Sequence, residues 1–191
     1  MKKLLLAAAF STAALTSGFA NAADYQVDIK GAHAFVNFKI QHLGYSWLTG
    51  RFNKFDGQFQ WDANKPEASS IEVTINTASI DSNHAERDKH LRGGDFLDVK
   101  KYPTATFKST SYKPTGKKAG VLAGDLTLHG VTKRISFPVT QLGEGKDPWG
   151  GYRAGFTGTT KLKMSDYGID YNLGPASTHV EMELHIEGIR Q

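Results

Sequence analysis

One stretch gathers most of the side chains able to do polar chemistry: Asn83-His84-Ala85-Glu86-Arg87-Asp88-Lys89-His90-Leu91-Arg92, closed by Gly93-Gly94 and followed by Asp95-Phe96-Leu97-Asp98. Asn83 is suited to cap a helix and Glu86 to bond back to it, while Glu86/His90 and Asp88/Arg92 stand at i,i+4 spacing. Two glycines stop the helix. Its one large apolar residue, Leu91, docks it thinly, with help from Phe96 and Leu97 just beyond. That is the profile of a short polar lid lying over something else.

Three chemistries are open to such a stretch. His84 and Asp88 lie one turn apart and could share an ion, but His90 is rotated about 200° from Asp88, at about 100° per residue, and does not join them. No metal site is predicted. Hydrolysis would need a nucleophile, a base and an orienting acid, yet no Gly-x-Ser-x-Gly elbow is present and there is no cysteine. Asp95 and Asp98 read as a turn and a cap, and the chain is predicted not to be an enzyme. Arg87 and Asp88 have two readings: a brace pinning the helix to the body of the fold, or a contact for a polar ligand group.

The elements that position this stretch follow a leader. Lys2-Lys3, the apolar run Leu4 to Leu15 and Ala20-Asn21-Ala22 form a secretion signal over residues 1–22, with the folded domain expected over 23–191. The run is too short to span a bilayer, and the absence of cysteine removes both disulfides and a lipid-anchoring thiol. The expected location is the periplasm. The formal charge of +4 includes Lys2 and Lys3, so loss of the leader leaves +2. Lys117-Lys118 sits in a Pro/Gly-marked turn rather than in a basic stripe, which excludes nucleic acid as the expected partner.

Beyond the leader the apolar residues recur at every second position. Val180, Met182, Leu184 and Ile186 alternate with Glu181, Glu183, His185 and Glu187, a period of two that a helix would scatter. Similar faces run through Val36, Phe38 and Ile40; Phe55, Gly57, Phe59 and Trp61; Ile71, Val73 and Ile75; Leu122, Leu126 and Leu128; Ile135, Phe137 and Val139; and Ala154, Phe156, Leu162 and Met164. Phe52 is out of phase with Phe55, which predicts a bulge near Asn53. His129-Gly130 is suited to a tight hairpin, and glycines at 57, 124 and 158 could bend long strands. About eight or nine mostly antiparallel strands result, with one helical insertion between the fourth and fifth. They form a sandwich or a barrel; a membrane barrel is disfavoured by the lack of aromatic girdles.

Asn83 to Asp98, with Tyr102-Pro103, Phe107-Lys108-Ser109 and Gly124-Asp125-Leu126-Thr127-Leu128-His129-Gly130-Val131-Thr132-Lys133, resembles the YceI-like family. His33 through His42-Leu43-Gly44, and Gly50-Arg51-Phe52 ahead of Phe55-Asp56-Gly57, match as well. The resemblance implies an all-β fold, a lipocalin-like antiparallel barrel of about eight strands with one short helical insertion. It also implies an apolar tunnel for a polyisoprenoid, a quinone or a similar long-chain amphiphile, with no cofactor beyond that lipid. On that reading the tunnel lining is Phe38, Phe59, Trp61, Val73, Ile75, Phe107, Leu126, Leu128, Phe137, Phe156 and Leu162, each of which could instead simply fill the core. Candidates for the ligand head are Arg87, Asp88 and His90, with Asn83, His84 and His42. The partner is then the lipid, with room for an inner-membrane protein to receive it. Two alternatives stay open: an enzyme acting on a lipid head group, and an interaction module with a filled barrel.

Overall fold

A computed structural model describes residues 22–191; the leader lies outside the described residues, apart from Ala22. Eleven strand segments form one antiparallel sheet: β1 (Ala23–Val27), β2 (Phe35–His42), β3 (Ser46–Phe52), β4 (Phe55–Trp61), β5 (Ser70–Asn76), β6 (Ile80–Asp81), β7 (Thr104–Pro114), β8 (Ala119–Leu128), β9 (Val131–Lys146), β10 (Tyr152–Lys163) and β11 (His179–Arg190). One α-helix, α1 (Ala85–Leu91), is inserted after β6.

Six of the segments are halves of three broken strands. β11 pairs its C-terminal end with β1, at Val27↔Gly188, and its N-terminal half with β2, from Phe35↔His185 to Lys39↔Glu181. β1 and β2 are therefore one wall strand interrupted by Asp28–Ala34. In the same way β1–β4 and β2–β3 pairing makes β3 and β4 one strand, and β5 continues into β6. The result is an eight-stranded meander closed by β11 against β1 and β2. Closure leaves its wall without free edges along the paired stretches.

The breaks are built from local hydrogen bonds. Asp28 Oδ1 accepts from the Gly31 N–H at 2.8 Å, which folds the first interruption into a compact loop. The second falls at Asn53–Lys54, so the phase change between Phe52 and Phe55 is a strand break. Ser79, in the third break, ties into it: its carbonyl accepts from Asn53 N–H at 3.1 Å and its Oγ from Lys54 N–H at 3.0 Å.

Glycines also make room for inward rings. A Cβ at Gly124 would overlap the Phe107 ring and the Lys108 carbonyl, and one at Gly50 would overlap the ring of Phe38, its cross-strand partner. Glycine there lets an inward aromatic ring lie flat over the neighbouring strand. His129-Gly130 forms the expected two-residue hairpin, with φ of 51° and 76°. The helical insertion follows the third wall strand rather than the fourth, because β1 and β2 count as one.

Candidate ligand-binding site

Alternation sends one face of every wall strand inward, and two apolar chambers fill the barrel axis. The lower one, about 150 Å³, lies among Trp61, Tyr112, Leu122, Val139, Phe156 and Ile186. The upper one, about 710 Å³, lies beneath α1 and the segment 164–177. Ile75, Leu126, Leu162 and Met182 line both, so the chambers adjoin at a waist. All eleven residues predicted from the alternation line one chamber or both: Phe59, Trp61, Val73, Phe107, Phe137 and Phe156 below, Phe38 and Leu128 above, and Ile75, Leu126 and Leu162 at the waist. The upper volume is within the roughly 300–1,000 Å³ typical of small-molecule sites. Water in so apolar an enclosure finds few of the two to four partners it needs, whereas hydrocarbon loses nothing there.

The polar groups collect at the upper mouth. Of the six head-group candidates, His42, Arg87 and His90 line the upper chamber; Asn83, His84 and Asp88 do not. Helix α1 begins one residue later than expected, because Asn83 takes a left-handed backbone (φ 60°) that a helix cap cannot use. His84 is the cap, its Nδ1 accepting from the Arg87 N–H at 3.2 Å. Neither i,i+4 pair forms, since Asp88, Arg92 and His90 each have another partner. Asp88 is buried and accepts from both the backbone N–H and the hydroxyl of Ser82. Arg92 donates to the carbonyls of Ala78 at 2.8 Å and Ile80 at 2.6 Å. His90 Nε2 stands 2.9 Å from Asp95 Oδ2.

Arg87 makes a brace and stands at the chamber wall. Its Nε donates to Ser82 Oγ at 2.7 Å and its Nη2 to the Ser82 carbonyl at 2.6 Å, which straps α1 to the end of β6, yet the side chain also borders the upper chamber. No direct Arg87–Asp88 ion pair is present among the described residues; Ser82 stands between them. Leu91 packs with Phe96, Leu97, Phe38 and Ile80, the thin docking expected of it. Over the mouth, the His90 ring meets Phe96 and Tyr171 edge to face, with centroids 5.0 and 5.3 Å away.

The segment 164–177 contributes Met164, Tyr167, Ile169, Tyr171 and Leu173 to the upper chamber; of these only Met164 belongs to a face read from the alternation. Ser177 holds this segment to the wall through its Oγ, which donates to the Gln41 carbonyl at 2.5 Å. Burial pushes the Tyr167 hydroxyl up, with Asp166 adding to the effect, so Tyr167 stays neutral.

A second polar cluster lies on the outer wall at the break between β1 and β2, and its residues are far apart in sequence. Arg153 Nη1 bonds Asp28 at 2.7 Å and Glu187 at 2.6 Å, and its Nε bonds Asp147 at 2.8 Å. His33 Nδ1 is 2.8 Å from Asp28 Oδ2. Asp28, His33 and Glu187 bring possible ligand atoms within 4.8 Å of one another, but the guanidinium already supplies the cation there. Burial raises the Asp28 carboxyl, but the bonds from His33, Arg153 and the Gly31 N–H outweigh it and hold the pKa at about 2.

An eight-stranded barrel with a ligand-sized apolar interior and a helical lid is a lipocalin-like binding fold. A model of the YceI-like domain matches residues 25–188, and the chain belongs to that family. It is 59% identical over its full length, and over the full length of its relative, to a UPF0312 protein of Azotobacter vinelandii. The crystal structure of the Campylobacter jejuni YCEI protein is similar at 30% identity with a TM-score of 0.72, covering 80% of this chain and 91% of that one. A polyisoprenoid binding domain from Saccharophagus degradans shares the fold at 18% identity with a TM-score of 0.65, over 87% of this chain and 98% of its own. Among the described residues no helix is long and apolar enough to cross a membrane.

Proposed function

We propose that this protein binds a long-chain isoprenoid amphiphile, a quinone or a polyprenyl lipid, with the tail in the two chambers and the head at the mouth beside Arg87, His90 and His42. The observation that carries the reading is the pair of adjoining apolar chambers, about 710 and 150 Å³, whose polar lining in the upper one gathers near its mouth. Burial of hydrocarbon is worth about 0.8 kcal/mol per CH₂, so each five-carbon unit placed inside contributes roughly 3–4 kcal/mol. The name of the Saccharophagus degradans domain points to the same class of ligand. Within the periplasm, after loss of residues 1–22, such a protein transports, stores or sequesters a lipid that water will not carry, and an inner-membrane protein is a natural recipient.

Binding rather than catalysis fits the mouth. His90 is engaged with Asp95, and among the described residues no hydroxyl hydrogen-bonds its ring as a nucleophile would. The test is to produce the chain with its leader, fractionate the cells, extract the purified protein with organic solvent and analyse the extract by mass spectrometry. A prenyl lipid near stoichiometry, from periplasmic protein that starts near Ala23, is the expected result. Repeated recovery of protein free of any hydrophobic molecule would refute the reading.

A further inference from the structure

Four of the eight exposed large apolar side chains among the described residues, Leu43 (57% exposed), Tyr45 (88%), Trp47 (48%) and Tyr171 (44%), belong to the turn end of the β2–β3 hairpin and the segment over the upper mouth; the others, Phe35, Val121, Leu142 and Trp149, are not grouped with them. Leu43 and Tyr45 lie in the three-residue link of the β2–β3 hairpin, in which Leu43 and Gly44 both have positive φ and Tyr45 N–H bonds the His42 carbonyl at 2.9 Å, and Trp47 follows in β3 opposite Gln41. Leu43 and Tyr171 also line the upper chamber, so the apolar rim is continuous with the apolar interior.

The hairpin from Phe35 to Phe52 carries Lys39, Arg51 and His42 and no acidic residue. The Lys39 ammonium lies 5.2 Å from the Trp47 ring centroid and shares the single carboxylate of Glu181 with Lys161, so these two cations on the hairpin side of the mouth face one anion. Tyrosine and tryptophan with a flanking lysine are the side chains that settle at a bilayer interface, where one end is dry and the other wet. A second copy of the chain is the poorer occupant. A projecting turn with a few exposed side chains offers much less than the roughly 800 Å² per partner of a stable interface.

We propose that the tip of the β2–β3 hairpin docks the mouth onto an anionic bilayer surface, so that ligand passes between membrane and tunnel without crossing water. The proposal rests on the lipid-binding reading, and its test separates the two. Tyr45 and Trp47 do not line either chamber, so Tyr45→Ser/Trp47→Ser alters the tip and leaves the tunnel intact. Mature protein is mixed with phosphatidylethanolamine/phosphatidylglycerol vesicles carrying ubiquinone, and three things are followed: co-sedimentation, the rate of ubiquinone transfer, and loading from detergent at equilibrium.

The variant should lose co-sedimentation and take up ubiquinone from vesicles at least about tenfold more slowly, while loading fully from detergent. Equal transfer rates at equal loading would overturn the docking and spare the tunnel. Failure of both proteins to load from detergent would overturn the tunnel reading and the docking with it. A wild-type dimer dissociated by the substitutions would reassign the tip to self-association and overturn the proposal. Tyr45→Ser alone, at the most exposed position, gives a second readout of the same kind if the double variant folds poorly.

Discussion

At the lower end of the barrel Trp61 meets Phe156 and Tyr112 edge to face, at centroid distances of 4.9 and 6.2 Å, and Tyr25 stacks on Phe59 at 4.8 Å. Arg153 clamps three carboxylates across the neighbouring outer wall. At the upper end the chamber is several times larger, its lining is mostly aliphatic, and the lid is held by a few hydrogen bonds from Arg87, Asp88 and Arg92 to a short stretch of chain. The same alternating strands build both ends. What differs is how much of the interior the protein's own side chains fill: below, Trp61, Phe156, Tyr112 and Phe59 pack on one another, while above, Phe96 and Tyr171 pack together beside His90 at the mouth and the chamber beneath stays open. Stability and ligand capacity should therefore be separable by substitutions at opposite ends.

The sharpest break in that contrast is Arg153→Met. It leaves the buried Asp28 carboxylate without its cation, a change that costs about 3–5 kcal/mol when one partner of such a pair is lost, with the partial exposure of Arg153 favouring the lower figure. Urea unfolding should show the loss, while folded protein keeps its capacity for lipid. A smaller effect comes from acid. The Asp28 pKa is depressed from 3.8 to about 2, so its contribution is complete above pH about 4 and disappears as pH falls through about 2. At most about 2 kcal/mol is involved, and a stability series across that window in Asp28→Asn should be flatter than in the parent.

Arg87→Ala sharpens the comparison from the upper end. Two hydrogen bonds from a charged donor to Ser82 are lost, and about 1–2 kcal/mol should go from the ligand-free protein, read as a lower melting temperature. Weaker lipid binding at unchanged ligand-free stability would instead make Arg87 purely a head-group contact.

These contrasts mark what the chain discloses by itself. Period-two alternation is a local signal, so the inward faces of Phe59, Ile75, Leu126 and Phe137 were legible, and so was the phase change at Phe52 and Phe55. Their closure into eight strands was not, because β1 and β2 become one strand only through β11, which lies at the other end of the sequence. The lid was legible as a helix but not in its bonds. Asn83 and Asp88 have the spacing of a cap and a pair, but Asn83 takes a left-handed backbone and Ser82 engages Asp88 instead. Ser82 and Arg153 carried no local signal, since a serine just past β6 and an arginine 125 residues from Asp28 acquire roles only from the fold. The segment 164–177 alternates as well, at Tyr167, Ile169, Tyr171 and Leu173, but it forms no strand, and only its position over the mouth shows that these residues line the chamber.

The smallest expected change in stability tests the lid most directly. Tyr171 is nearly half exposed, and its ring contacts Phe96 and His90 at centroid distances of 5.0 and 5.3 Å. Removing it in Tyr171→Ser sacrifices these aromatic contacts over the mouth, for less than about 1 kcal/mol of folding stability. The tail remains enclosed by the same walls, so the gain from burial is little altered, but the mouth loses one of the rings beside it. Lipid should therefore leave faster while the melting temperature of the ligand-free protein barely moves. Stopped-flow transfer of a fluorescent polyprenyl probe to acceptor vesicles reads that rate; an unchanged rate would mean that the ligand's exit does not pass beside Tyr171.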